Sequence, residues 1–172
     1  MKSLKLFVSV ATVCLLVGAS GTAMAVDCAD GIIEGTVEEP LEVDEITIIG
    51  QNCLIHDVAV TGDIVVVNSE NLGIVDSTVG GRVRVIGNRN ATLVGVDVVG
   101  NITARNNEDA NLALNVARNI RVINNHRAVV KKNLAAGIIR CRGNDRLDAF
   151  ENEAGDVECR ALGGGFGGPG PF

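Results

Sequence analysis

The chain has 172 residues, of which 47% are hydrophobic and 21% charged, and four phenylalanines are its only aromatic residues. This length accommodates one domain with a hydrophobic core, and the apolar fraction excludes an intrinsically disordered chain. The net charge of −6 argues against non-specific binding of nucleic acid, which requires a basic surface.

The first 25 residues have the pattern of a secretory signal peptide. Lys2 and Lys5 precede an apolar run over residues 6–18. Residues 23–25, Ala-Met-Ala, form the small-x-small pattern that signal peptidase cleaves. The run is shorter than the roughly 20 residues that span a bilayer, and no later segment is long enough to do so. We therefore predict a signal peptide at 1–25, no membrane span, and a protein that is secreted or periplasmic.

The sequence after residue 43 repeats every 18 or 19 residues. The repeats are marked by Asp44, Gly62, Gly81, Gly100, Arg118, Gly137 and Gly155. Two positions after each marker stands a β-branched apolar residue: Ile46, Ile64, Val83, Ile102, Ile120, Ile139 and Val157. The positions four after the markers are also apolar: Ile48, Val66, Val85, Ala104, Val122, Cys141 and Cys159. Because side chains alternate along a strand, both sets point to one face and the residue between them mostly faces water.

A turn follows each of these strands. Six positions after the marker the residue is Gly or Asn in every copy but the last, which has Ala161. Gly and Asn enter the left-handed region of backbone space at least cost, so the chain turns there. Polar residues follow at the seventh position, and a second short strand is predicted in several copies, as at 93–98. The pattern predicts an all-β fold, a single-stranded parallel β-solenoid of about seven 18–19-residue coils over 26–162. An antiparallel β-sandwich is the alternative.

Four cysteines remain after the signal peptide, which in an exported protein predicts two disulfides. Cys141 and Cys159 both stand four positions after a marker in adjacent coils, so their Cα atoms are expected roughly 5 Å apart, within bonding range. By elimination, Cys28 pairs with Cys53. Both bridges are interpreted as caps on the ends of the solenoid.

The C-terminal coils resemble those of a known group of proteins. Residues 137–144 read GIIRCRGN and are followed by Glu158-Cys159, while residues 100–104 read GNITA. These segments are similar to small exported bacterial right-handed parallel β-helix proteins with V-x-G-N-(V/L)-x-V repeats, whose last coil reads G-N-L-x-C-x-x-N and is closed by a later Cys. The resemblance covers Cys28 to Leu162. It implies right-handedness and bacterial export, and the group is largely without assigned function. This chain departs from it in its arginine content and its tail.

Charge is distributed unevenly along the chain. Residues 26–100 carry 13 acidic and three basic side chains, whereas residues 101–172 carry eight and ten. If the fifth position after each marker faces outward like the third, six arginines line one face: Arg84, Arg105, Arg121, Arg140, Arg142 and Arg160. Guanidinium groups there could bind an anionic glycan or an acidic protein. A merely solubilising face is the alternative.

The last ten residues, 163–172, read GGGFGGPGPF. So much Gly and Pro cannot be packed without a large loss of entropy, which predicts a flexible tail. Self-association is a further option, because an acidic end of one molecule could meet a basic end of another.

These features favour an exported, non-catalytic β-solenoid that acts as a structural or binding module at the cell surface or in the periplasm. The alternative is a carbohydrate-active enzyme of the polysaccharide lyase or hydrolase type, since parallel β-helices often carry such activities. That chemistry needs clustered carboxylates and, commonly, aromatic platforms for sugar rings. The sequence indicates no catalytic residue, no metal site and no cofactor. His56 and His126 are interpreted as exposed turn residues.

Overall fold

The computed structural model describes Cys28, residues 31–34 and residues 41–159. Over these ranges the protein is all-β, and its parallel strands stack into a β-solenoid of about six turns, as the repeat predicts. The predicted signal peptide (1–25), the predicted tail (163–172) and Arg160 lie outside the described residues.

Seventeen strands make up the described part of the solenoid, and most are three to five residues long. In chain order they are β1 (Ile32–Glu34), β2 (Leu41–Val43), β3 (Ile46–Ile49), β4 (Cys53–His56), β5 (Val58–Val60), β6 (Ile64–Val67), β7 (Asn71–Val75), β8 (Thr78–Val79), β9 (Val83–Ile86), β10 (Asn90–Val94), β11 (Asp97–Arg105), β12 (Asp109–Ala113), β13 (Val116–Ile123), β14 (Arg127–Lys131), β15 (Leu134–Arg142), β16 (Arg146–Phe150) and β17 (Glu153–Cys159).

Each turn passes through three strand columns, which are continuous ladders of parallel strands. Column one contains β3, β6 and β9 and continues through the second halves of β11, β13, β15 and β17. Column two is the seven-stranded sheet β1-β4-β7-β10-β12-β14-β16. Column three contains β2, β5 and β8 and the first halves of β11, β13, β15 and β17. Parallel neighbours lie ~4.8 Å apart, so each residue stacks on its equivalent in the next turn.

The most regular part of the core comes from column one. The β-branched residues two positions after the markers are fully buried from the first turn to the sixth: Ile46, Ile64, Val83, Ile102, Ile120 and Ile139. Val157, on the last described strand, is 44% exposed because no described strand covers it. Burying one such side chain contributes about 1.5–3 kcal/mol, so the stack is a major source of stability.

The predicted turns after column one are present. Positive φ occurs at Gly50, Asn68, Gly87, Asn106, Asn124 and Gly143, the positions that the sequence marks. A second corner with positive φ, between columns two and three, is not foreseen by the sequence. It includes Leu114 at 58°, Lys132 at 53° and Glu151 at 53°. The left-handed region costs such residues roughly 1–2 kcal/mol each, so the surrounding ladders hold them there.

The prediction of a second strand over residues 93–98 is wrong in its extent. β10 ends at Val94, Gly95 has a φ of 67°, and β11 begins at Asp97. The apolar run therefore crosses a corner. Alternation of apolar residues does not reveal this corner, because Gly95 is the only residue in the run that indicates a bend. Each turn consequently has three strand segments where the sequence suggests two.

From β11 onward, the difference between 18- and 19-residue turns arises at the third corner, between columns three and one. Val98 pairs with Ala117 and Asn101 pairs with Asn119, so two residues of β11 lie opposite Arg118 alone. The register shifts again at the same corner between β13 and β15 and between β15 and β17. Because one residue is gained or lost at this bulge, the strands before and after it remain aligned.

Four asparagine side chains, with Ser69 at the N-terminal end, form a buried ladder just after column one. Its members are Ser69, Asn88, Asn107, Asn125 and Asn144, all at most 2% exposed. Each Asn Oδ1 accepts the backbone N–H of the ladder residue one turn earlier, at 2.8–2.9 Å. The polar seventh position predicted for the turns is thus an internal polar stack, in which every buried amide finds partners.

A second ladder of the same kind lies at the start of column three. Val96 N–H donates to Asn115 Oδ1, Asn115 N–H to Asn133 Oδ1, and Asn133 N–H to Asn152 Oδ1, each at 3.1 Å. The repeat pattern alone does not indicate this ladder. It satisfies the backbone at the second corner, where the unfavourable positive φ angles occur.

Both predicted disulfides are present. Cys28 and Cys53 have Cα atoms 5.8 Å apart, and Cys141 and Cys159, which are paired neighbours of β15 and β17, have Cα atoms 4.3 Å apart. The bridges lie in the first and last described turns. Two disulfides in a small repeat protein are typical of an oxidising, extracytoplasmic environment.

Candidate binding surface

Five arginines form a row on the outer face of column one, which we call the arginine row. Four consecutive strands contribute to it: Arg84 on β9, Arg105 on β11, Arg121 on β13, and both Arg140 and Arg142 on β15. The register stacks Arg84, Thr103, Arg121 and Arg140 in one line and Ile86, Arg105, Ile123 and Arg142 in the line beside it. Every turn in this stretch therefore presents at least one outward guanidinium.

The C-terminal end of the row is occupied by a carboxylate. Glu158 lies on β17 in register with Arg140, and its Oε2 accepts hydrogen bonds from Arg140 Nε at 2.6 Å and Arg142 Nη2 at 3.0 Å. The hydrogen bond from Arg140 lowers the pKa of Glu158 below its ordinary 4.5, with a further contribution from Arg142. The same contact raises the pKa of Arg140.

The other three arginines of the row lack such partners. Arg84, Arg105 and Arg121 have no carboxylate within ion-pair distance in the described part of the chain. Basic residues on other faces are paired more often: Arg82 with Asp63, Arg89 with Glu70 and Glu108, Arg127 with Asp109, and Lys132 with Glu151. The row thus presents outward guanidinium groups that are neutralised by few carboxylates of the described chain.

Lowering the pH should release Glu158 only below the range in which a glutamate ordinarily titrates, because its pKa is lowered. A carboxyl group with a depressed folded-state pKa contributes stability above its unfolded pKa and loses it as the pH falls through the folded value. We expect an NMR titration to place the Glu158 midpoint below 4.5. In Arg140→Gln the midpoint should move upward, because the main hydrogen bond is lost. Arg146→Gln, a change on column two, is the control; an equal movement there would contradict the assignment.

Charge along the axis is arranged in three zones. Residues 43–81 carry six acidic and no Lys or Arg side chains, residues 82–146 carry twelve basic and four acidic ones, and residues 147–159 carry five acidic and none that are basic. Chain order is axial order in a solenoid, so a basic band lies between two acidic zones. This arrangement does not favour association of an acidic end with a basic end.

The two histidines differ in their surroundings. His126 lies in a turn, exposed as predicted, with Nδ1 3.0 Å from Asp145 Oδ2. The expectation for His56 is wrong in placement: it ends β4, its side chain is only 33% exposed, and Nδ1 lies 3.4 Å from Glu34 and 3.3 Å from Asp57. Among the described residues, no group of three or more His, Cys, Asp or Glu side chains is arranged to hold a metal ion.

Two shallow depressions lie on the outer face of column two and share Arg127 and Val129. Neither includes a residue of the arginine row. The row is carried by strands and lines neither depression, so it is suited to contact along its length rather than to enclosing a small molecule.

Glu158 belongs to this surface, although it is not among the residues predicted for it from the sequence. Its position was visible, since Glu158 stands three places after the last marker, like Arg84, Arg121 and Arg140. The repeat pattern does not predict the side-chain rotamer of Glu158, which brings one carboxylate oxygen to two guanidinium groups. Arg160, also predicted for this face, lies outside the described residues.

No helix in the described part of the chain is both long and apolar enough to span a membrane. The chain matches no protein-family model, and neither the curated proteins nor the solved structures include a match.

Proposed function

We propose that this protein is an exported, non-catalytic, right-handed β-solenoid that serves as a structural or binding module at the cell surface or in the periplasm. In this proposal its arginine row contacts anionic glycans. Export is supported by the signal-like segment at 1–25 and by the two disulfides. Right-handedness is supported by the general rule that connections between parallel strands of a sheet are right-handed in about 98% of cases.

The observation that carries the glycan proposal is the spacing of the three arginines that pair with no carboxylate among the described residues. Arg84, Arg105 and Arg121 follow one another on β9, β11 and β13, so their backbones rise ~4.8 Å per step along the axis. The three cations are staggered between two adjacent lines, one per turn. Such a row complements a polymer that repeats its negative charge, whereas a single small anion would use only one or two of the arginines. Guanidinium groups also bind carboxylates and sulfates through paired hydrogen bonds.

Binding to defined polymers tests this proposal. The probes are polygalacturonate, which carries carboxylates, and dextran sulfate, with neutral dextran as the uncharged control. We expect binding to the two anionic polymers at low salt and its loss at high salt, because exposed charge contacts are screened. Neutral dextran should not bind.

A charge-matched pair of variants identifies the surface. Replacing Arg84, Arg105 and Arg121 with Gln should weaken binding about 10-fold or more, since three exposed charge contacts are lost together. The control changes three basic residues elsewhere, Arg89, Lys132 and Arg146, to Gln and should cost less than about 3-fold. Equal losses of affinity in the two triple variants would show that only net charge matters. Absence of binding to both anionic polymers would overturn the glycan assignment.

The carbohydrate-active alternative is tested in the same incubations. A polysaccharide hydrolase would release reducing ends from polygalacturonate, and a lyase would release unsaturated products that absorb in the ultraviolet. We expect neither. Turnover of the polymer would replace the proposed binding role by an enzymatic one.

A further inference from the structure

Glu158 has a distinctive place in the outward line that carries Arg84, Arg121 and Arg140. The described members of this line are Thr47, Val65, Arg84, Thr103, Arg121, Arg140 and Glu158. Glu158 is therefore the only acidic residue in the described line, and it lies one step beyond the last arginine. A carboxylate of a bound polymer that continued along the row would have to occupy the same location.

The contacts of Glu158 show how an anion can be held there. A single oxygen, Oε2, accepts from Arg140 and from Arg142, which point outward two residues apart on β15. The side chain of Glu158 is 37% exposed and that of Arg142 is 64% exposed, so solvent and solutes reach the pair. Exposed ion pairs contribute little net stability, and a competing anion can therefore displace one.

We propose that Glu158 is an internal competitor of the anionic ligand, which closes the C-terminal end of the arginine row. The inference rests on the proposed glycan-binding function and adds its regulation. With Glu158 in place, a ligand gains full contact only with Arg84, Arg105 and Arg121. Access to Arg140 and Arg142 requires displacement of the glutamate.

The first test compares two variants that each remove one negative charge from β17. In Glu158→Gln the two arginines become available, and we expect the Kd for dextran sulfate and for polygalacturonate at low salt to fall about 5-fold. In Glu153→Gln, which changes column three, the Kd should move by less than about 2-fold. Equal effects of the two changes would overturn the inference.

A second test leaves Glu158 unchanged and so does not depend on how well Glu158→Gln folds. Arg140→Gln with Arg142→Gln should weaken binding by less than about 2-fold, because Glu158 already occupies both guanidinium groups. Arg84→Gln with Arg121→Gln should weaken it several-fold. If the two double variants lose binding equally, Glu158 does not act as a competitor.

The results separate this inference from the proposed function. Binding that needs Arg84, Arg105 and Arg121 but responds equally to Glu158→Gln and Glu153→Gln would retain the function and reject the competitor. Absence of binding by the wild type and by Glu158→Gln would reject both. Thermal unfolding of each variant shows whether the protein remains folded.

Discussion

Replacing Asn125 with leucine should lower the free energy of unfolding by about 4 kcal/mol. Asn125 is 1% exposed, and its Oδ1 accepts both the backbone N–H and the side-chain Nδ2 of Asn107 at 2.9 Å. Its own Nδ2 donates to Asn144 Oδ1 at 3.0 Å and to the carbonyl of Ala104 at 3.2 Å. Leucine keeps the volume but removes these four hydrogen bonds, at about 0.5–1.5 kcal/mol each. It also leaves the Asn107 N–H without its acceptor, at about 1–3 kcal/mol, whereas Asn107 Nδ2 keeps the carbonyl of Val85 and Asn144 Oδ1 keeps the N–H of residue 125.

Chemical denaturation of wild type and variant measures the loss. The matched control is Asn71→Leu, because Asn71 also stacks on an asparagine of the next turn, accepting from Asn90 Nδ2 at 2.8 Å, but does so in solvent. We expect the control to cost no more than about 0.5–1 kcal/mol. Similar losses at the two positions would mean that the ladder contributes no more than an exposed asparagine pair.

The ladder explains why the solenoid can keep polar residues inside. The corners that follow columns one and two turn the backbone away from its strand pairing, so their N–H groups need other acceptors. Stacked asparagines provide one acceptor per turn and satisfy their own amide groups on neighbours and on carbonyls. A single replacement breaks the chain of bonds in two directions, which is why its expected effect is large.

Column one could be predicted from the sequence because its signals are local and repeated. Ile46, Ile64 and their equivalents are β-branched in every copy, and Gly or Asn follows four residues later in all but the last. Period-two alternation and the positive-φ preference then fix both the buried face and the turn. The disulfides follow as well, since Cys141 and Cys159 share a position in the repeat.

Columns two and three could not be predicted to the same extent. The second corner places Leu114, Lys132 and Glu151 at positive φ, where no residue preference would suggest a bend. These residues are held there by contacts with the turns above and below, such as the hydrogen bond from Leu114 N–H to the carbonyl of Lys131. Such tertiary constraints override local propensity and leave no trace in a single repeat.

For the arginine row, the sequence predicts which residues share a line, because this follows from the strand register, but it does not predict their side-chain contacts. Constant repeat spacing places Arg84, Arg121 and Arg140 in one line, and the structure shows that the fifth position faces outward beside it. The pairing of Glu158 with Arg140 and Arg142 depends on side-chain conformation at the end of the stack. The central basic band likewise becomes evident only from the fold, because in a solenoid the order of residues along the chain is also their order along the axis.

The third corner yields the other large expected effect: Gly100→Ala should destabilise the protein by about 3 kcal/mol. A Cβ at Gly100 would overlap the carbonyl oxygen of Gly81, which accepts the Gly100 N–H at 2.9 Å. The carbonyl cannot retreat without losing this bond. One turn earlier, a Cβ at Gly81 would meet the carbonyl of Gly62 at 2.5 Å, so the close approach of backbones recurs along the corner.

Gly73→Ala is the matched control for this steric argument, since Gly73 also lies within a strand, β7. There the added Cβ would lie 2.8 Å from Leu54 Cδ1, the end of a flexible, exposed side chain that can rotate away. Because alanine also reduces the entropy of the unfolded chain, we expect a change of less than about 1 kcal/mol in either direction. Urea denaturation of both variants gives the comparison. If Gly100→Ala costs no more than Gly73→Ala, the corner can widen and contact between backbones does not set its geometry. A large difference would instead explain why Gly62, Gly81 and Gly100 follow one another at the marker position. At Arg118 the bulge has one residue fewer and the side chain is exposed.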